Sequence, residues 1–137
     1  MPVTTGMTTM ATPIEPVETV AFDARTFERL SQAYRRLDHH DVGQAWHLLE
    51  AMHVLGQTRL LPHARSHWCM LGLAWRTRDS SEQSGQFLRL LLVPLGHLLG
   101  RLPLGNTGRA NISAFQPMTV TPKLWATIRQ FQSSPDS

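Results

Sequence analysis

The sequence is poor in cysteine, tyrosine and lysine, and it has no long apolar run. Its single cysteine, Cys69, excludes an intramolecular disulfide framework and is typical of a reducing compartment. The most apolar stretch, residues 90–99, contains Pro94 and is much shorter than the roughly 20 residues of a membrane-spanning helix. Residues 1–19 carry no Lys or Arg, so the basic start of a secretory signal is missing. We therefore expect a cytoplasmic protein without membrane contact.

Acidic residues are absent between Glu82 and Asp136, although bases occur there. The chain has 13 Lys and Arg against 10 Asp and Glu, a formal net charge of +3. The bases are dispersed along the chain instead of clustered, so this charge pattern does not favour nucleic-acid binding.

The length and the apolar content suit one compact domain. The chain has 137 residues, of which 42% are hydrophobic, and this excludes a chain that is disordered throughout. Residues 1–20 are rich in Thr, Pro and Met and are expected to form a disordered tail. We expect a single helical domain over residues 21–132 and a disordered C-terminus over 133–137.

Apolar residues recur at helical spacing through most of this domain. The pattern predicts helices near residues 24–37, 42–55 and 62–78, a fourth that begins near residue 80, and a short fifth after Thr121. Side chains suited to N-caps precede four of them, namely Asp23, Asp41, Asp79 or Ser80, and Thr121. The fold is predicted to be all-α.

An internal repeat indicates how these helices are arranged. Residues 43–49 read GQAWHLL and residues 85–91 read GQFLRLL. The first segment lies near the start of the second predicted helix and the other near the start of the fourth. We expect two stacked αα-hairpins, similar to loose tetratricopeptide repeats, plus a short C-terminal helix. Each hairpin should cover the apolar face of the other. On the fourth helix, the apolar residues expected at this contact are Phe87, Leu90, Leu91 and Leu95.

Four candidate metal ligands fall on two neighbouring predicted helices. Glu50 and His53 are three residues apart, and His63 and His67 are four apart, so each pair lies on one helix face. A short connection makes the two helices antiparallel, which lets those faces meet. Three imidazoles and a carboxylate suit Zn²⁺, Fe²⁺, Ni²⁺ or Co²⁺.

A purely structural role for these residues is the alternative. Buried histidines commonly form hydrogen bonds across a hairpin, and Glu50 is a suitable acceptor for them. A di-metal enzyme is disfavoured because such bundle sites need two Glu-x-x-His motifs, whereas this helical region has one. Cys69 on a helix rich in Trp and Leu is more typical of an inert buried thiol than of a nucleophile.

A turn-rich segment, residues 105–111, is the second candidate site. Its glycines allow tight turns, and Asn106, Arg109 and Asn111 together suit an anion or a ligand that bears a carboxylate. The alternative, which we favour, is that the two asparagines satisfy the turns in which they occur.

Several short motifs also resemble a known family. They comprise residues 50–57 (EAMHVLGQ), His63 with His67 and Trp68, residues 104–108 (LGNTG), residues 113–115 (SAF) and Pro117 with Met118. Together they resemble a family of small bacterial helical proteins that is catalogued only as a domain of unknown function. The resemblance implies a shared compact helical fold over about residues 21–124, and it implies no activity.

The sequence thus favours a small helical protein that binds a transition-metal ion without catalysis. The alternative is a helical-repeat module whose groove binds another protein and whose histidines are structural. An enzyme ranks third, although a pocket ringed by His53, His63 and His67 would strengthen that hypothesis.

Overall fold

The computed structural model describes residues 19–135, which form five α-helices and, within that range, no strands. The all-α prediction is confirmed. Residues 1–18 of the predicted N-terminal tail and residues 136–137 of the predicted C-terminal tail lie outside the described residues. The helices are α1 (Ala24–Arg36), α2 (Val42–Gly56), α3 (Leu60–Arg76), α4 (Ser80–Leu99) and α5 (Pro122–Ser133).

Side-chain caps fix where four of these helices begin. The carboxylates of Asp23, Asp41 and Asp79 and the hydroxyl of Thr121 each accept a hydrogen bond from a backbone N–H of the first turn. These groups satisfy donors that have no partner within the helix, as predicted from the sequence. Pro122 follows Thr121 in the first turn, where its missing N–H costs nothing.

The helices pack as two hairpins in series. Helix α1 packs on α2, α3 packs on α4, and the α2–α3 contact joins the two hairpins, while α5 lies against α1 and α2. This arrangement confirms the predicted stacked hairpins with a short C-terminal helix. The core consists of fully buried apolar side chains from these helices, among them Leu30, Leu49, Met52, Leu55, Met70 and Ile128.

Helix α4 is the exception to the expected pattern, because its apolar stripe faces outward. Phe87, Leu91 and Leu95 are 58%, 62% and 49% exposed, so the expectation that they enter the core is wrong. The buried face of α4 instead carries Glu82, Gln86, Arg89 and Val93. In the matching segment of α2, residues 43–49, the apolar residues Ala45, Leu48 and Leu49 are buried.

A loop that follows α4 explains this reversal. Within the loop of residues 101–121, residues 108–112 lie against α4, and their backbone carbonyls need donors. Arg89 donates to the carbonyl of Arg109 at 2.8 Å and to that of Ile112, and Gln86 donates to the carbonyl of Gly108 at 2.8 Å. The polar stripe of α4 therefore faces inward because it satisfies buried backbone acceptors of the loop.

Over residues 19–135, no helix combines enough length with enough apolar character to cross a membrane.

Candidate metal centre

Three imidazoles meet in the interior, and their Nε2 atoms point at one another. The Nε2 of His53 lies 3.1 Å from that of His63 and 3.1 Å from that of His67. The third side of this triangle, between His63 and His67, measures 3.2 Å. All three residues are at least 96% buried, with exposures of 2%, 4% and 2%. Within the described chain, this is a group of side chains that could hold a metal ion.

Two adjacent helices bring the imidazoles together. His53 lies in the last turn of α2, whereas His63 and His67 lie one turn apart near the start of α3. A connection of three residues, 57–59, joins these helix ends. The cluster therefore lies where the second helix turns into the third.

Hydrogen bonds fix the protonation of two of the rings. The Nδ1 of His53 lies 2.7 Å from the carbonyl oxygen of Asn106, which can only accept, so this nitrogen carries the proton. The Nδ1 of His67 lies 2.7 Å from Oε1 of Gln86 and donates to it in the same way. The Nε2 atoms of His53 and His67 therefore present lone pairs to the centre of the cluster.

The amide of Gln86 has one orientation only. Its Nε2 donates to Oε2 of Glu82 at 3.0 Å and to the carbonyl of Gly108 at 2.8 Å. Its oxygen must therefore face His67. Glu82 is held in turn by the guanidinium Nε of Arg109 at 2.6 Å, so a chain of buried polar groups extends outward from the imidazole.

His97 is a fourth histidine at this site. Its Nε2 lies 3.0 Å from Nδ1 of His63. When Nδ1 of His63 donates this hydrogen bond, the Nε2 of His63 is also unprotonated, and all three Nε2 atoms then offer lone pairs. His97 thus occupies the outer position that in metal centres usually orients a ligand.

Burial keeps the three imidazoles neutral at physiological pH. Loss of solvation lowers the pKa of His63 to about 3 and that of His67 to about 4, with the neighbouring histidine contributing at His63 and Arg89 at His67. The same burial lowers the pKa of His53 well below its usual value. Neutral imidazole is the form that coordinates metal ions, so no proton has to leave before an ion binds.

Glu50 does not join the three histidines. Its Oε1 forms an ion pair with a terminal nitrogen of Arg109 at 3.1 Å, and the group able to hold a metal within residues 19–135 contains histidines alone. The i, i+3 spacing places Glu50 and His53 about 60° apart around α2. That offset directs Glu50 toward Arg109, whose guanidinium carbon lies 3.9 Å from the centre of the Trp46 ring.

In the predicted anion loop, the side chains of Asn106 and Arg109 are bonded to other groups of the protein. Both N–H bonds of the Asn106 amide are used, at 2.9 Å to the carbonyl of Ser113 and 2.8 Å to that of Gln116, and its oxygen accepts from the Gly108 backbone. Arg109 pairs with Glu82 and Glu50, and Asn111 is exposed to solvent. The segment instead contacts the histidine cluster, because the Asn106 carbonyl accepts the hydrogen bond from Nδ1 of His53.

Three contributors were not identified as site residues from the sequence: Gln86, His97 and Gly108. Gly108 has a φ of +81°, and a Cβ there would lie 2.9 Å from the His53 ring, so glycine lets the loop close over this imidazole. A signal for His97 did exist, since it is a polar residue inside the most apolar stretch of the chain. Gln86 gave none, because the sequence does not distinguish it from its counterpart in the repeat, Gln44, which is exposed.

Fold and site together define a small helical-hairpin protein with a buried three-histidine cluster. The chain belongs to the family described as "Protein of unknown function (DUF3703)", whose sequence model matches residues 22–128. The resemblance inferred from the motifs is thereby confirmed. No curated protein and no solved structure matches the chain.

Proposed function

We propose that this protein binds one transition-metal ion through the Nε2 atoms of His53, His63 and His67. The observation that carries the proposal is the convergence of these three atoms within 3.1–3.2 Å. A metal–nitrogen distance of about 2.0–2.1 Å places the ligands of a tetrahedral ion about 3.3 Å apart. The cluster is therefore close to the size that such an ion requires, before any adjustment of side chains.

A purely structural hydrogen-bond network explains the cluster less well. The protons of His53 and His67 lie at Nδ1, so only His63 can place a hydrogen between the three Nε2 atoms. One hydrogen cannot satisfy two facing lone pairs with good geometry, and buried acceptors that face each other are costly. An ion at the centre interacts favourably with all three lone pairs.

The ligand chemistry favours Zn²⁺ or Co²⁺ among the four ions suggested by the sequence. Three neutral imidazoles with nearly equal separations match a tetrahedral ion with three protein ligands. An ion here would tie the end of α2 to the start of α3. Its binding free energy would then add to the stability of the fold, without any catalytic step.

The test is the metal content of protein purified without a histidine tag, compared with two double variants. His53→Ala/His67→Ala removes two ligands, while His39→Ala/His40→Ala removes two exposed histidines of the α1–α2 connection. We expect about one ion per chain in the parent and in the second variant, and none in the first. Absence of metal in the parent, with no rise in melting temperature on adding Zn²⁺ or Co²⁺, would refute metal binding.

A protein-interaction module is the second candidate, and the exposed apolar surface of the α3–α4 hairpin favours it. Trp68 and Trp75 lie seven residues apart on α3 and are 68% and 71% exposed. Phe87, Leu91 and Leu98 add the outward stripe of α4. Exposed apolar patches larger than a few hundred Å² commonly mark interaction sites.

Self-association provides a direct test of this surface. Sedimentation velocity should show dimers of the parent at micromolar concentration, and Trp68→Glu/Leu91→Glu should be monomeric. The matched control is Gln44→Glu/Ala126→Glu, which changes exposed positions on α2 and α5. A parent that stays monomeric at all concentrations would exclude a contact between copies of this chain.

A further inference from the structure

A cavity of about 210 Å³ adjoins the histidine cluster and touches all three imidazoles. It lies between α4 and the loop 101–115. Its walls are mainly apolar and include Leu92, Val93, Leu99, Leu102 and Phe115. Phe115 is 75% exposed and Arg101 is exposed, so the cavity opens to solvent at this end.

Within residues 19–135, the cavity lining supplies no carboxylate or thiolate to complete the coordination of an ion, and the Asn106 side-chain oxygen already accepts a hydrogen bond from Gly108. Three imidazoles leave one position of a tetrahedral ion to be filled, and closed structural sites fill it with a further protein ligand. Of the cavity-lining residues in the described chain, none is Asp, Glu or Cys. The arrangement corresponds to an open site, in which the fourth ligand comes from outside the protein.

The charges around the site indicate the sign of that ligand. Glu50 and Glu82 contribute two negative charges near the cluster, and Arg109, which pairs with both, contributes one positive charge. Arg89 contributes a second positive charge, lines the cavity and uses its hydrogen bonds on backbone carbonyls. These four charges cancel, and Arg101 adds a further positive charge at the open end of the cavity, so a divalent ion on neutral imidazoles would leave at least two positive charges at the site. An anionic ligand would offset part of that charge.

The size and the lining of the cavity restrict this anion further. The volume is below the about 300–1,000 Å³ of pockets for drug-sized ligands, and the walls favour an apolar body. We propose that the ion takes a small monocarboxylate as its fourth ligand, with the carboxylate on the metal and the hydrocarbon part in the cavity. This inference rests on the proposed metal binding. It adds the chemical class of the ligand that the metal centre receives.

The experiment uses the full chain loaded with Co²⁺, whose visible d–d absorption reports changes in coordination. Acetate, butanoate and hexanoate are titrated at pH 7, with butylammonium as a cationic control. We expect the spectrum to change with each carboxylate and not with butylammonium. Affinity should rise by up to about fourfold for each methylene group that enters the cavity.

Two variants locate the hydrocarbon part. Ala114 lines the cavity, so Ala114→Leu should reduce the preference for hexanoate over acetate while cobalt still binds. Ala126→Leu, at an exposed position of α5, should behave like the parent.

The outcomes separate this inference from the proposed function. A cobalt spectrum that does not respond to carboxylates would show that the fourth position is closed and would overturn the inference, with metal binding left intact. Equal affinity for acetate and hexanoate would show that the hydrocarbon part lies outside the cavity, which also overturns it. Failure to bind cobalt would refute the proposed function, and this inference with it.

Discussion

The side-chain oxygen of Gln86 accepts a hydrogen bond from Nδ1 of His67 at 2.7 Å, so an amide on α4 sets the tautomer of an imidazole on α3. The same amide donates to Glu82 and to the Gly108 carbonyl. One residue thus links the second hairpin, the loop that follows it and the histidine cluster. These three hydrogen bonds explain the burial of Gln86 on the inner face of α4.

Replacement of Gln86 should weaken metal binding. Gln86→Met keeps the volume and removes the acceptor, so the Nδ1 proton of His67 loses its fixed position. We expect a loss of about 10–100-fold in zinc affinity, measured by competition with a chromophoric chelator. Gln44→Met is the matched control, since Gln44 is the exposed counterpart of Gln86 in the repeat. An equal effect of both variants would contradict the assigned role.

Replacement of Gly108 and of Gly72 by alanine should change the unfolding free energy in opposite directions. Gly108 has a positive φ and faces the His53 ring, so Gly108→Ala introduces both backbone strain and a clash. We expect a loss of about 1–3 kcal/mol in unfolding free energy, measured by urea denaturation. Gly72 lies within α3 with nothing within 4 Å of an added Cβ, so Gly72→Ala should add about 0.5–1 kcal/mol.

Absence of any loss in Gly108→Ala would contradict the geometry of the loop over His53, and a loss in Gly72→Ala would contradict the open surroundings of that position on α3.

The metal-free protein should lose stability as the pH falls below about 6.5. Because the folded pKa values of His63 and His67 are lowered to about 3 and about 4, the unfolded chain takes up protons that the folded chain does not. The stabilisation is therefore complete above the unfolded pKa and is lost as the pH falls toward these values. Each such group contributes a slope of up to about 1.4 kcal/mol per pH unit.

Urea denaturation between pH 4.5 and 7.5 measures this slope. His67→Gln should reduce it, whereas His40→Gln, which alters an exposed histidine, should not. A parent whose stability is constant over this range would show that the imidazoles titrate normally in the folded protein.

The ion pair between Arg109 and Glu82 should matter far more than a surface ion pair. Glu82 is 4% exposed, so Arg109→Leu leaves a buried carboxylate without its cation and should cost about 3 kcal/mol. Arg35 pairs with Glu28 at 2.7 Å on the surface, where both side chains are about half exposed, and Arg35→Leu should cost under about 1 kcal/mol. Similar losses in the two variants, measured by urea denaturation, would contradict this difference.

The sequence predicts the helices well because their starting points are encoded locally. Asp23, Asp41 and Thr121 each precede an apolar periodic stretch and act as caps through bonds to residues two or three positions away. The meeting of His53 with His63 and His67 is also accessible from spacing, since one short connection joins their helices. Such features depend on neighbours within a few turns.

The orientation of α4 could not be predicted in this way. Its periodicity places Phe87 and Leu91 on a face that would normally be buried, and the true inner face carries Gln86 and Arg89. That choice depends on the carbonyls of a loop about 20 residues further along, which periodicity does not reveal. The same long-range contact brings Asn106 onto His53 and Arg109 onto Glu50, and it separates Glu50 from the cluster.

X-ray absorption of the zinc-loaded protein shows whether three imidazoles bind the ion through their Nε2 atoms. We expect three imidazole nitrogens at about 2.0 Å, with multiple scattering from their rings, and one further oxygen or nitrogen ligand. The spectrum of His63→Ala should lose one imidazole. Sulfur at about 2.3 Å, or fewer than three imidazoles in the parent, would rule out coordination of the ion by the three Nε2 atoms.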